Sequence, residues 1–350
     1  MSEEFLTGPT STVRRRRKKK KTKSTTSTAT TTNTNTEVDE AVAIAASSTG
    51  GVESVLSKLR DSVSDGDLYT SLQVYKALFA RFAKQGDVEP ATELAAKGSC
   101  LLLRRGLTRA ATDLAFQLVD LFTESHTEAS ETNTVHLLNI VRAYPSHPTA
   151  PAVNGTIDDT CDEDSQRFLN GAIKWSMTEG TYPRGDPRLN YEAACAYRRS
   201  GDASNACLRY MFSEQCAEYA AYVHELATNG YRGEIDIFLA RSVLQLLAVE
   251  NVRDASQVYD AFIQQCGGRK ALDTPLTNCV ELLLELVQKG KAGLPLFQLL
   301  QKRYSKSLNR DETLQSCMGR IGHKFFGVAK PKQGGIMGML EGLMGGPKKR

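Results

Sequence analysis

The sequence has no apolar run that approaches the ~20 residues that a membrane-spanning helix needs. Its N-terminus is charged and rich in threonine, without the short apolar stretch of a secretory signal. None of its eight cysteines is spaced as CxxC. A free thiol inside an apolar helical pattern behaves as a small hydrophobic group. We therefore expect a soluble protein with reduced thiols, in the cytosol or the nucleus.

Motifs that carry common enzyme chemistry are also missing. There is no GxxxxGK[ST] phosphate loop, no GxGxxG after a strand and no HExxH. The five histidines are scattered, and Cys207 and Cys216 lie nine residues apart without a second pair, which supports a zinc site poorly. With no cluster of titratable residues to do chemistry, we expect a non-enzymatic binding protein without catalytic residues, cofactor or metal.

Charge is distributed unevenly along the chain. Residues 1–23 carry a net +7 and residues 330–350 a net +4, so the span between them is −7 in a chain of net +4. An acidic body does not favour nucleic-acid binding by the body itself. The basic run Arg14–Lys23 fits a nuclear import signal, a polybasic arm for anionic surfaces, or a tail that only aids solubility.

Apolar residues recur at steps of three and four from Val52 onward, which predicts successive amphipathic helices. Gly66, Gly86 and Gly106 separate the first of them at a spacing of 20 residues, and Asp87 follows as a candidate N-cap. Gly201-Asp202 repeats this pair of turn and cap. A constant spacing of helix, glycine turn and helix is typical of stacked antiparallel arrays. The pattern predicts an all-α fold, an α-solenoid of about fourteen antiparallel helices in TPR-like pairs.

Composition divides the chain into four parts. Residues 1–51 should form a disordered basic and Thr-rich tail, because they cannot bury enough apolar surface to offset their chain entropy. Helical repeats should occupy residues 52–158 and 159–328, with the proline-containing loop Tyr144–Asp159 as the joint between the halves. Residues 329–350 should form a flexible Gly/Met tail.

Four short segments, in order along the chain, resemble one known family. They are Gly66-Asp67-Leu68-Tyr69 through Leu101-Leu102-Leu103, Gly185-Asp186-Pro187-Arg188-Leu189, Gly233–Ala240 with Val243-Leu244-Gln245, and Arg320-Ile321-Gly322 with Phe325–Val328. Each match is weak by itself, but four in the right order are specific. The sequence resembles the Golgi-to-ER traffic protein 4 family, whose members act in the guided entry of tail-anchored proteins.

This resemblance implies an adaptor in the post-translational targeting and insertion of tail-anchored membrane proteins into the endoplasmic reticulum. The N-terminal half would dock the targeting ATPase of the pathway. The C-terminal half would hold a ubiquitin-like protein linked to chaperones, joined in animals by a BAG-family chaperone scaffold. Such an adaptor need not enter the membrane, so the resemblance implies a cytosolic location, with a nuclear pool if Arg14–Lys23 is an import signal.

Carried over by position, the resemblance gives five candidate residues for docking the ATPase: Lys58, Arg60, Asp67, Tyr69 and Arg81. The basic ones lie off the apolar stripes of their helices. A polar docking face requires that arrangement, but an ordinary solvated face has it too. Docking through charges would favour the fast, salt-sensitive exchange that a handover step needs.

For the ubiquitin-like partner, the resemblance indicates the polar loop Gly267–Pro275 and the helix after it. The candidate lining of an apolar groove is Phe262, Leu272, Leu276, Val280, Leu283, Leu284 and Val287. The alternative is that these side chains pack helix on helix. Leu272 is the better groove candidate, because it is a lone apolar residue in a polar loop. The extended-looking stretch Lys270–Asp273 suggests a hairpin there.

Two other functions stay open at this point. The Arg/Lys run and the Thr-rich tract are not typical of the family, and so a nuclear or RNA-associated protein directed by its basic arm is one alternative. Another is a different helical-repeat assembly scaffold. Recovery of a targeting ATPase together with a ubiquitin-like protein would distinguish the adaptor from both.

Overall fold

The computed structural model describes residues 68–150 and 161–329, and this part of the chain contains fourteen α-helices and no β-strand. They are α1 (Leu68–Gln85), α2 (Val88–Arg104), α3 (Thr108–Glu124), α4 (Glu131–Ala143), α5 (Cys161–Thr178), α6 (Pro187–Arg199), α7 (Ala203–Tyr210), α8 (Cys216–Asn229), α9 (Ile235–Ala248), α10 (Val252–Gln265), α11 (Pro275–Val287), α12 (Leu294–Arg303), α13 (Ser305–Leu308) and α14 (Glu312–Phe326). The predicted all-α fold of about fourteen helices is confirmed. Four predictions fall outside the described residues: the tail at 1–51, the repeats at 52–67, the boundary at 158/159, and residues 330–350 of the C-terminal tail.

Neighbouring helices pack as in a solenoid. Helix α2 contacts α1, α3 and α4, and α9 contacts α8, α10 and α11. Both helices thus pack against the next helix and the next but one, which is the arrangement expected of stacked helix pairs. None of the helices in the described ranges combines the length and the apolar character needed to cross a bilayer.

The predicted glycine turns are present. Gly86, Gly106 and Gly201 all have φ near +80°, the left-handed conformation that ends a helix at little cost for glycine. The predicted caps behave differently from one another. Asp202 accepts a hydrogen bond from the Asn205 amide at 3.0 Å, whereas the side chain of Asp87 makes no cap bond to α2.

The buried apolar side chains form two clusters that meet at α6. Leu189, Ala193 and Ala196 of α6 belong to the N-terminal cluster, and Ala194 belongs to the C-terminal one. The loop before the gap is fixed to the same helix. The buried Glu192 carboxylate is bonded to His147 Nε2 at 3.0 Å and accepts a bond from Arg142 Nε at 3.4 Å. Helix α6 therefore forms the wall shared by the two halves.

The last helix returns to α9 and is fixed there by two ion pairs. Arg241 of α9 donates to Asp311 at 3.0 and 2.8 Å, and Arg310 donates to Asp236 of α9 at 2.8 Å. Adjacent residues at the start of α14 thus contact positions one and a half turns apart on α9. The C-terminal half is closed by this contact.

Candidate partner-binding surfaces

Two common kinds of reactive site in proteins are a metal centre and an activated thiol. No group of His, Cys, Asp and Glu in the described part of the chain is arranged to hold a metal ion. Burial raises the pKa of Cys207 and of Cys216 to about 11, and that of Cys279 to about 12. Only a thiolate is a strong nucleophile, so these thiols are poor ones at neutral pH.

At the N-terminal end, the structure shows two of the five predicted ATPase-docking residues. Tyr69 is 72% exposed, and Arg81 is exposed on the same helix, α1. Twelve residues of α-helix separate them by about 18 Å along the axis and about 120° around it, and both lie on the outward half of α1. One protein of ordinary footprint could contact both. Lys58, Arg60 and Asp67 lie outside the described residues.

The outward half of α1 carries further polar groups that the sequence reasoning did not select. Gln73 and Lys84 are exposed, and the Lys76 ammonium lies 3.7 Å from Asp113 of α3. The face is therefore mostly cationic, with one aromatic ring near its start. The three- and four-residue spacing from Tyr69 through Gln73 to Lys84 is the signal that could have identified it.

At the C-terminal end, the seven predicted groove residues are all buried. Phe262, Leu272, Leu276, Val280, Leu283, Leu284 and Val287 are each at most 8% exposed and belong to the C-terminal core cluster. They lie together around α10 and α11, but they do not line an open groove. Partner binding through these side chains stays a prediction.

Leu272, the better groove candidate by sequence, is buried because its loop folds back onto α11. Residues Arg269–Leu272 form a 3-10 turn, not a hairpin. Arg269 holds the turn by donating to Glu281 at 2.9 Å and to the carbonyl oxygen of Leu272 at 3.0 Å, and it also bonds Asn278. Polar residues of the loop thus bond to the helix and cover the leucine.

A different apolar surface is open nearby. Leu282 is 46% exposed, Leu296 50% and Leu299 60%, and they face one another across α11 and α12. We call this the α11–α12 groove. It encloses about 290 Å³, and its lining consists of Leu282, Glu285, Leu286, Lys289, Leu296, Leu299, Leu300, Arg303 and Tyr304. Its floor is apolar and its rim is charged.

The stretch Leu294–Gln301 contains the signal for this groove. Phe297 and Leu300 form one apolar stripe of α12 and are buried, whereas Leu296 and Leu299 form a second stripe that is exposed. A helix on the surface of a protein needs only one apolar stripe to face the core. A second stripe on the same helix therefore indicates a surface that another molecule covers.

The Golgi to ER traffic protein 4 family model matches residues 85–346. The chain belongs to this family. Golgi to ER traffic protein 4 homologs from Oryzias latipes and Homo sapiens are each 31% identical to it and each cover 85% of the chain, over 89% and 88% of their own lengths. Protein GET4 of Arabidopsis thaliana is 27% identical and covers 84% of the chain and 96% of its own length. The crystal structure of C. therm. Get4 is similar at a TM-score of 0.66 and 25% identity, covering 90% of this chain and 96% of that one.

Membership in the Golgi to ER traffic protein 4 family supports a role in Golgi–ER traffic for this chain. The family model covers one of the two candidate surfaces and not the other. The α11–α12 groove lies inside residues 85–346, whereas Tyr69 and Arg81 precede them. The fold expected from the resemblance is confirmed by the likeness to the solved Get4 structure.

Proposed function

We propose that this chain is a non-enzymatic cytosolic adaptor for tail-anchored membrane proteins on their way to the endoplasmic reticulum. In this proposal its N-terminal half docks the targeting ATPase. Its C-terminal half holds a ubiquitin-like, chaperone-linked protein, with a BAG-family scaffold as a further partner. The family membership supports the pathway, and the separation of the two surfaces along the solenoid supports the bridging.

The observation that carries the proposal is the group of three exposed leucines in the α11–α12 groove. Single exposed leucines are common on protein surfaces, but neighbouring ones that form one patch indicate a binding site. Burying the exposed part of each leucine would contribute about 1 kcal/mol. A groove between two helices suits an amphipathic helix of the partner, which would place its apolar side on the leucines and its polar side on Lys289 and Arg303.

The outward face of α1 supports the other half of the bridge. Arg81 and Lys84 are exposed cations on a body whose overall charge is negative. Exposed charges contribute more to the rate and specificity of association than to its strength. Such a face would let the ATPase bind quickly and leave quickly, and binding would weaken as salt increases.

The C-terminal part of the proposal is tested by the double variant Leu296→Asp/Leu299→Asp in the full-length chain. Binding of the pathway's ubiquitin-like protein from the same organism is measured by calorimetry. We expect affinity to fall at least about 30-fold, since two carboxylates in an apolar contact cost roughly 2 kcal/mol or more. Met177→Asp on α5 is the matched control, because Met177 is 43% exposed and lies outside the groove. Equal affinities of both variants and the unmodified chain would refute the groove assignment.

The N-terminal part is tested by Tyr69→Ala/Arg81→Glu, with Lys174→Glu on α5 as the control at another exposed cation. We expect the double variant to lose the ATPase and keep the ubiquitin-like protein. The control should keep both. If the unmodified chain binds neither protein, the chain is another kind of helical-repeat scaffold and the adaptor proposal fails.

A further inference from the structure

A second concave site lies in the middle of the solenoid, away from both end surfaces. It is a cavity of about 620 Å³ among α7, α8 and α9. Arg184, before α6, and Arg320, on α14, also line it. We call it the α7–α9 cavity. It shares no lining residue with the α11–α12 groove.

Every charged side chain that lines the α7–α9 cavity is an arginine. These are Arg184, Arg241 and Arg320. Residues 24–329 carry a net charge of −7. The cavity, with three arginines and no acidic lining residue, therefore has the opposite sign of charge to the rest of the body. Arg241 is bonded to Asp311, but Arg184 and Arg320 form no ion pair with any described residue. Two guanidinium groups are thus available to an anion.

Apolar and aromatic side chains form the larger part of the cavity wall. The guanidinium of Arg184 lies 5.5 Å from the ring centre of Phe212, and that of Arg241 lies 5.9 Å from the ring centre of Phe238. Stacking on a ring fixes a guanidinium with its donors directed sideways, where a carboxylate can meet them. Leu208, 46% exposed, adds an apolar contact at the edge.

A buried hydroxyl in the same wall also lacks a partner. Tyr219 is 1% exposed, lines the cavity, and its hydroxyl has no hydrogen-bond partner among the described residues. The neighbouring Ser242 hydroxyl donates to the carbonyl oxygen of Phe238 at 3.0 Å instead. Burial raises the pKa of Tyr219, so the group stays neutral and able to donate. Buried polar groups are normally satisfied, so Tyr219 leaves a donor unused in the wall of the cavity.

We propose that the α7–α9 cavity binds an acidic peptide segment of a partner protein that carries a bulky apolar side chain. Carboxylates of the segment pair with Arg184 and Arg320, and its apolar side chain packs on Leu208 and Phe212. Such a segment complements both the positive charge of the cavity and its apolar walls. A nucleic acid fits poorly, because it needs an extended basic surface and the rest of the body is acidic.

The test uses the full-length chain and a labelled probe peptide of sequence DEDELFDEDE, followed by fluorescence polarisation. We expect saturable binding that weakens at least tenfold when the acids become amides (NQNQLFNQNQ), and at least tenfold when the central Leu-Phe becomes Gly-Gly. Arg184→Glu/Arg320→Glu should weaken binding at least tenfold. The control Arg105→Glu/Arg109→Glu reverses the charge of two exposed arginines in the N-terminal half, and it should leave probe binding unchanged. Leu208→Gln removes the apolar contact without adding a charge, and the same loss is expected.

Several results would overturn the proposal. Equal binding of the probe to the cavity variants and the control would do so, as would no binding at millimolar peptide. A single-stranded oligonucleotide that displaces the probe more effectively than unlabelled peptide would assign the cavity to nucleic acid.

The chain's own Glu37–Ile44 is also acidic and apolar. If the full-length variant Glu37→Gln/Asp39→Asn/Glu40→Gln binds the probe at least tenfold more tightly, that segment is the occupant and the partner is not. The proposal does not depend on the adaptor function.

Discussion

Replacing Gly98 by alanine should destabilise this chain, although alanine is the better helix former. Gly98 lies inside α2, where alanine would contribute about 1 kcal/mol through helix propensity. Its Cβ atom, however, would lie 2.7 and 2.9 Å from Cδ1 and Cε1 of Tyr75, and 3.1 Å from Leu114 Cδ2. Tyr75 is 1% exposed, so its ring has no solvent to move into. Overpacking of a core costs about 1–3 kcal/mol, which outweighs the propensity and leaves a net loss of up to about 2 kcal/mol.

Gly171 in α5 provides a matched control. A Cβ atom there would lie 3.7 Å from Val119 Cγ1, an ordinary van der Waals distance. Gly171→Ala should therefore stabilise the chain by about 0.5–1 kcal/mol. The same chemical change should thus have opposite signs at the two positions. Urea unfolding followed by circular dichroism measures both, read as midpoint shifts at an unchanged m-value.

The clash is tested further by a double-mutant cycle with Tyr75→Leu, which removes the ring that Gly98→Ala would meet. Residues in contact couple, so Gly98→Ala should cost at least 1 kcal/mol less, as a rough figure, in the Tyr75→Leu background. Additive changes, or a stabilising Gly98→Ala in the unmodified chain, would show that α1 and α2 do not approach as closely as the structure has them.

Three further outcomes follow from single contacts. Asp202→Ala should destabilise the chain by about 1 kcal/mol through loss of the cap on α7. The hydrogen bond from the Asn205 amide lowers the pKa of Asp202 in the folded chain. The stabilisation by this cap should therefore be present above pH ~4 and disappear as pH falls through the lowered pKa. Arg310→Ala should destabilise more than Asp236→Asn in urea unfolding, by about 1 kcal/mol or more, because only the first leaves a buried carboxylate charged and unpaired. Cys279, with a pKa raised to about 12 by burial and 1% exposed, should resist iodoacetamide at pH 8 until the chain is unfolded, as read by mass spectrometry.

The helices and their turns were predictable because they depend on local spacing. The 3.6-residue period identifies which face of a helix is apolar, and a glycine such as Gly86 marks where the chain must adopt a positive φ. The buried state of Leu272 was not predictable in this way. It depends on Arg269 bonding to Glu281 and Asn278, which belong to the next helix. A polar loop is exposed when its polar groups bind water, and it covers its neighbours when they bind the protein.

The α11–α12 groove was not identified from the sequence for a related reason. Periodicity shows that α11 and α12 are apolar, but it does not show which apolar stripe the neighbouring helices cover. Phe297 is covered by the stacked ring of Phe326 at a centroid distance of 4.4 Å, because α14 returns to this end of the chain. That return depends on contacts between α9 and α14, more than 60 residues apart in sequence. The sequence of α12 shows two apolar stripes, but which of them stays open could be identified only after the last helix was in place.

Terminal units of a helical array usually present a polar outer face, since no further repeat covers them. The α12 face with Leu296 and Leu299 does the opposite. Leaving these leucines in water loses about 1 kcal/mol of burial free energy for each of them. A chain that acts alone has no compensating gain. Helix α1, the first described helix, instead carries a mostly polar and cationic outward face. Under the proposed adaptor function, α12 would therefore hold a tight, apolar partner and α1 a rapidly exchanging, charge-guided one.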